Sequence, residues 1–214
     1  MIPNSYEEWQ KERKNGLGAS DAGAIIGVNP WKSNVELWEE KTGRKEPEDI
    51  SDKPYVKYGH DAEEHIRALF ALDHPELTVS YESPYKIIRN PVHQFIFCTP
   101  DGELQDSEGN HGGLEVKTTE IMQARQWKEW DNRIPDQYFC QVIWQMIATG
   151  WEFVYLCALI KYTTKNGEKR KEIREYRIDR ADVLEDIAYL TEEGIEFWEA
   201  VQKKKCPPLR LPAI

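Results

Sequence analysis

Apolar positions recur at helical spacing in six stretches of the chain and gather into four short runs rich in β-branched and aromatic residues, which predicts a mixed α/β chain. Ser5-x-x-Glu8 reads as a capping box opening a helix through Trp9 to Lys14. Residues 16–27 form a glycine-bearing turn feeding a second helix, capped by Ser20 or Asp21. Ser33-x-x-Glu36 is another capping box, and the helix through Leu37 and Trp38 stops at Gly43. A fourth helix covers 58–70. The fifth, 136–149, follows Pro135, stops at Gly150, and carries Phe139, Val142, Ile143, Met146 and Ile147 on its apolar face, with Gln137, Gln141 and Gln145 on the other side. The last, 182–205, is long and amphipathic with a bend at Gly194, and its Lys203-Lys204-Lys205 either meets DNA or complements the helix end.

The strands are 95–98, 114–119, 151–162 and 173–178. Residues 106–113 are dense in turn formers, so the first two read as a hairpin or a close relative; Asn166-Gly167 joins the last two. Residues 44–57, rich in charge and proline, read as a connecting loop, and 206–214 as an extended tail. No internal repeat or low-complexity linker interrupts the pattern, which predicts one domain over 1–214.

Composition adds little except by exclusion. Cys98, Cys140, Cys157 and Cys206 lack a Cys-x-x-Cys pair, so neither a zinc site nor a disulfide framework is indicated, and a reducing cytoplasm is the expected setting. The five histidines show no ligand spacing. No signal peptide precedes the charged start and no apolar stretch approaches a membrane span. The formal charge of −10 argues against non-specific coating of DNA, which depends on phosphate neutralisation. It leaves room for a nuclease with a local basic track, since metal-binding carboxylates themselves add negative charge.

Candidate chemistry centres on Pro100-Asp101 and Glu115-Val116-Lys117. Alternation along a strand puts Glu115 and Lys117 on one face and Val116 on the other, toward the core. Asp101, at the end of the preceding strand, can meet the pair across the sheet. Mg²⁺ takes hard oxygen ligands and is held by one or two carboxylates with waters and phosphate oxygens, a role that Asp101 and Glu115 fit. Lys117 can orient or deprotonate a water, or stabilise developing charge, and a lysine beside a metal in a partly dry site can have a lowered pKa. The competing reading is an exposed hairpin with an ion pair.

Two further segments have paired readings. Small residues at 16–27 let backbone amides approach a phosphate with Arg13 adding a forked contact, or serve only helix capping and packing. Glu63 lies on the helix side of Ile66 and Phe70, as a further member of a metal site or as a boundary residue bridging to Arg67. The glutamine stripe faces either a ligand or solvent.

Taken in order, Gly18-Ala19-Ser20-Asp21, Gly27 to Ser33, Tyr58-Gly59 leading to Glu63 and Arg67 to Phe70, Thr99-Pro100-Asp101-Gly102, Leu114-Glu115-Val116-Lys117 and the Gln141-Val142 helix carry a family resemblance over residues 13 to about 160. The chain resembles the YqaJ-like viral recombinases, relatives of phage lambda exonuclease in the Pro-Asp…(Asp/Glu)-x-Lys nuclease superfamily. The resemblance implies an α/β (α+β), restriction-endonuclease-like core, a mixed central β-sheet flanked by helices. It also implies 5′-to-3′ exonuclease action on linear double-stranded DNA with Mg²⁺, Mn²⁺ substituting, and 3′ overhangs left for a single-strand annealing protein in phage recombination. By that likeness Asp101, Glu115 and the Val116 carbonyl bind metal, Glu63 assists a second metal position, Lys117 serves the attacking water, Gln141 lines the site, and Arg13 and Ser20 take the 5′-phosphate. A homotrimer encircling the DNA, in a host cytoplasm if the chain is phage-encoded, completes the implied picture. The alternatives are an endonuclease of the same superfamily, or a non-catalytic DNA-binding module on the same fold.

Overall fold

Local signals set where the helices begin and end. In the computed structural model, which describes residues 1–211, α1 (Tyr6–Lys14) opens with Ser5 Oγ accepting the Glu8 N–H. The segment 16–27 departs from expectation: a 3₁₀ turn, Ala19–Asp21, precedes the single turn of α2 (Ala22–Ile25), and neither Ser20 nor Asp21 caps it with its side chain. Asp21 instead accepts the Gly18 N–H at 3.0 Å and pairs with Lys41 at 2.9 Å, so a buried ion pair takes the place of the cap. α3 (Asn34–Lys41) has the full reciprocal box between Ser33 and Glu36. α4 (Pro54–Asp73) starts a turn before Tyr58, because Pro54 sits at the first helical position, where its missing N–H would have had no partner anyway. The predicted loop therefore ends at 53. α5 (Asp136–Thr149) stops on Gly150 at φ 76° as expected, and α6 (Leu184–Gln202) runs as one helix through Gly194. Gly194 serves packing rather than bending: a Cβ there would stand 2.5 Å from the Trp144 ring.

The strands are β1 (Leu17–Gly18), β2 (Thr78–Ser80), β3 (Ile88–Arg89), β4 (Ile96–Cys98), β5 (Gly102–Gln105), β6 (His111–Ile121), β7 (Phe153–Thr163) and β8 (Lys169–Asp179). They form two sheets, ordered β1-β4-β3 and β2-β5-β6-β7-β8. The β1/β4 and β6/β7 pairs are parallel and the rest antiparallel. The expected hairpin between 95–98 and 114–119 does not form. β4 belongs to the small sheet, the chain crosses at 99–101, and β6 pairs with β5 from Gly102↔Leu114 to Gln105↔His111. Gly112 and Gly113, read as turn formers, lie inside β6. A Cβ on either would fall 2.4 Å from the Phe153 ring or 2.3 Å from the Trp151 ring, so two aromatic rings cross this strand where only glycine fits.

The large sheet is covered differently on its two faces. Ala62, Ile66 and Phe70 of α4 pack with Leu114, Val116 and Cys157. On the other face α5 packs against β4, α2 and α6, and residues 142–148 are all buried. The glutamine side of α5 is therefore interior at Gln145 rather than solvated. The parallel connection β6–α5–β7 makes this helix the crossover between adjacent strands. The tail has no regular structure from 206 to 211 and docks on Asn34, which donates to Pro208 O at 2.8 Å and accepts from Arg210 N at 2.9 Å; the predicted extension over 212–214 lies outside the described residues. Among the described residues no helix is long and apolar enough to cross a membrane.

Candidate active site

Crossing from one sheet to the other at 99–101 brings Asp101 beside the middle of β6, where its Oδ2 accepts the Val116 N–H at 2.8 Å. Strand alternation turns Glu115 and Lys117 toward α5 and Val116 toward α4, as the sequence predicts. Glu115 is 2% exposed. Three nitrogen donors converge on its carboxylate: Lys117 Nζ and Gln141 Nε2 on Oε1, Gln145 Nε2 on Oε2. Glutamines four residues apart on one face of α5 thus serve one carboxylate.

Arg13, Ser20, Glu63, Asp101, Glu115, Val116, Lys117 and Gln141 all line one cleft of about 210 Å³. Arg13 lies over the Trp9 ring, 4.5 Å from its centroid, and its Nη2 donates to Ser20 Oγ at 3.0 Å. Lys41 fastens this wall by donating to Arg13 O at 3.0 Å while paired to Asp21. Asp21 is buried, which alone would raise its carboxyl pKa, but the Lys41 and Arg13 charges and the bonds from Lys41 and Gly18 outweigh burial and hold it low.

Electrostatics mark the carboxylates as strained neighbours. Burial, reinforced by the Glu115 charge, pushes the Asp101 carboxyl well above the usual range, against the pull of Lys117 and the Val116 N–H. Burial likewise raises Glu63, with Glu115 adding to it, against His60, Lys117 and Arg67. For Lys117 burial acts to lower the pKa, but the Glu115 and Asp101 carboxylates outweigh it and raise it. Among the described residues no three His, Cys, Asp or Glu side chains close round a metal position. The donor set fits a hard cation that keeps water and substrate oxygens, which needs only one or two carboxylates, and two repelling buried carboxyls favour a cation between them.

Some contacts were not foreseen. Arg67 does not bridge to Glu63; its Nη1 donates to Asp101 O and its guanidinium lies 3.7 Å from the Tyr81 ring centroid. Glu63 has His60 as its neighbour at 3.5 Å. Trp9 Nε1 donates to Thr99 Oγ1 at 3.2 Å, tying α1 to the crossing segment. Gln145 was visible only as part of a stripe, and its four-residue spacing from Gln141 was the available signal.

With this geometry in view, the family description of a YqaJ-like viral recombinase domain matches residues 8–152. The chain belongs to the YqaJ-like viral recombinase family. The uncharacterized protein YqaJ of Bacillus subtilis (strain 168) is 32% identical over 196 residues, covering 91% of this chain and 56% of that protein, so the chain spans little more than half of that relative's length. Among solved structures, an alkaline exonuclease (LHK-Exo) from Laribacter hongkongensis matches with a TM-score of 0.69 and 19% identity, over 93% of this chain and 94% of that one. A phage-related exonuclease from Haemophilus somnus 129PT matches with a TM-score of 0.55 and 13% identity, over 88% and 96%. At these identities the likeness is one of fold: this YqaJ-like chain has the helix-flanked mixed sheet of those nucleases.

Proposed function

We propose that this YqaJ-like chain is a divalent-cation-dependent exonuclease that shortens linear double-stranded DNA from its 5′ ends in the cytoplasm, leaving 3′ overhangs for a single-strand annealing protein. The observation that carries the reading is the convergence of eight residues from five separate stretches of sequence on one cleft, with two carboxylates and a lysine at its floor and Arg13 and Ser20 on its wall. Asp101, Glu115 and the Val116 carbonyl would hold the cation, and Glu63 would assist a second position. Mg²⁺, or Mn²⁺ in its place, would offset charge on the scissile phosphate and lower the pKa of the attacking water.

The chain's own groups divide the remaining tasks. Gln141 and Gln145 fix the Glu115 carboxylate by donating to different oxygens. Lys117, whose Nζ donates to Glu115 at the cleft floor, is placed to orient water or stabilise phosphate charge. Arg13 still has N–H groups beyond the one given to Ser20 for a terminal phosphate, in the forked geometry suited to it. A homotrimeric ring around the duplex would supply processivity to a chain whose formal charge is −10.

Digestion with Mg²⁺ of four duplexes tests the reading: linear with a 5′-phosphate, linear with a 5′-hydroxyl, linear blocked at both 5′ ends, and covalently closed circular. Stepwise loss from the phosphorylated end, with the circle intact, is expected, and Arg13→Ala should erase the preference for phosphate over hydroxyl. Cutting of the circle would replace this reading with an endonuclease, and DNA binding without cutting would replace it with a non-catalytic module.

A further inference from the structure

We infer that Trp31 is a stacking platform for a nucleobase of the DNA strand engaged at the cleft, an inference that rests on the nuclease reading. Of the eight tryptophans in the chain, Trp31 is the one whose side chain is exposed, at 69%. Lone exposed apolar residues are common and by themselves mean nothing. Three features set this one apart.

Its backbone is held in a fixed turn. Asn29 Oδ1 accepts both the Trp31 N–H at 2.8 Å and the Lys32 N–H at 3.1 Å, Pro30 restricts the residue between, and the Ser33/Glu36 box follows at once. A ring presented from a rigid turn loses little freedom when it is covered.

The ring also ends a row that starts at the reaction centre. Lys117 Nζ lies 5.3 Å from the centroid of the Tyr138 ring, and the Tyr138 and Trp31 rings are 6.3 Å apart and tilted by 39°. Those two steps place Trp31 within about four stacked nucleotides of the lysine, at ~3.4 Å of rise each. On its other side Tyr138 is braced by buried Trp130, 5.8 Å away, so the row is anchored at its middle and open at its end.

The chemistry of the open end completes the case. An exposed indole offers a π face that any base can cover, which suits an enzyme that must accept every sequence as it moves along a strand. Lys32, the next residue, is paired with Glu40 at 2.6 Å, so its charge is already met within the chain.

The test is a cycle between the side chain and the base. Equilibrium binding of a 5′-phosphorylated duplex is measured in EDTA, where no strand is cut, for wild type, Trp31→Ala and Trp31→Phe, against intact duplex and duplexes with one abasic linker at each of the first few positions from the 5′ end. Trp31→Ala should weaken binding of the intact duplex by about tenfold, as expected for loss of one stacked base, while Trp31→Phe retains most of the affinity. At one linker position the abasic duplex should bind wild type and Trp31→Ala alike, because the partner ring is already missing. Equal binding of the intact duplex by wild type and Trp31→Ala would overturn the platform and leave the nuclease reading standing. Losses that add at every linker position would also overturn it, by showing that Trp31 acts without a base. A wild-type chain that binds no duplex would overturn both.

Discussion

Glu115 is a buried carboxylate whose two oxygens are both taken by nitrogen donors, and the one buried side-chain oxygen among the described residues without a partner, Gln145 Oε1, belongs to one of those donors. Leaving an amide oxygen unpaired costs about 1–3 kcal/mol, while a hydrogen bond to a charged group contributes ~1.5–3 kcal/mol, so the Gln145 N–H offsets the cost of its own carbonyl. Gln145→Leu removes both. The account predicts a net loss of stability of about 1 kcal/mol or more in urea denaturation, because a buried carboxylate left short of a donor costs more than the unpaired amide oxygen that is removed, together with slower DNA cleavage as Glu115 gains freedom. A variant matching wild type in both assays would show that Gln145 is only filling space. At this scale the sequence was informative where a motif is local: Asp101, Glu115 and Lys117 were legible from type and spacing. Gln145 and Arg67 were not, because their partners come from other elements and nothing local names them.

The elements tell the same story with different physics. Starts and stops written in a few neighbouring residues, such as Ser33 with Glu36 or Gly150 after Thr149, could be read directly. Strand pairing could not. β5 is four residues long with a single large apolar side chain, Leu104, too short a run to stand out as a strand, so the sequence pattern puts 95–98 in its place beside β6. Gly194 reads as a bend in sequence because the Trp144 ring that requires it is far away along the chain. Gly194→Ala should gain up to ~1 kcal/mol of helix propensity and lose about 1–3 kcal/mol to overpacking, a net destabilisation seen as a lower denaturation midpoint; an unchanged or higher midpoint would contradict the close packing of α5 on α6. His74, at the end of α4, joins it to β8: its ring nitrogens lie 2.9 Å from Glu76 and 2.9 Å from Glu175. Only the imidazolium can donate to both. Burial alone would lower the His74 pKa, but the bonds to Glu175 and Glu76 outweigh it and raise the pKa. Its stabilisation is therefore complete below the unfolded value of ~6.5 and lost as pH rises through the folded value. His74→Gln should cost more stability at pH 6 than at pH 9, and equal losses at both would remove the charge from the latch.

For the whole molecule, the mixed helix-flanked sheet and the family membership were both legible in the ordered set of motifs, whereas the division into two sheets was not, since it depends on which strand the chain crosses to after Cys98. The formal charge of −10 means that any DNA path depends on local groups such as Arg13 rather than on a general positive field. Tight engagement is expected to be confined to ends that reach the cleft. Whether that cleft is a nuclease centre is decided by digesting a 5′-phosphorylated linear duplex with the wild-type chain and with Lys117→Ala while measuring DNA binding on the same samples. The account predicts that cleavage by the variant falls by at least about 10²-fold while its affinity for the duplex holds, because the carboxylates and the phosphate wall remain. A variant that cuts at a near wild-type rate would contradict the account and remove Lys117 from the mechanism.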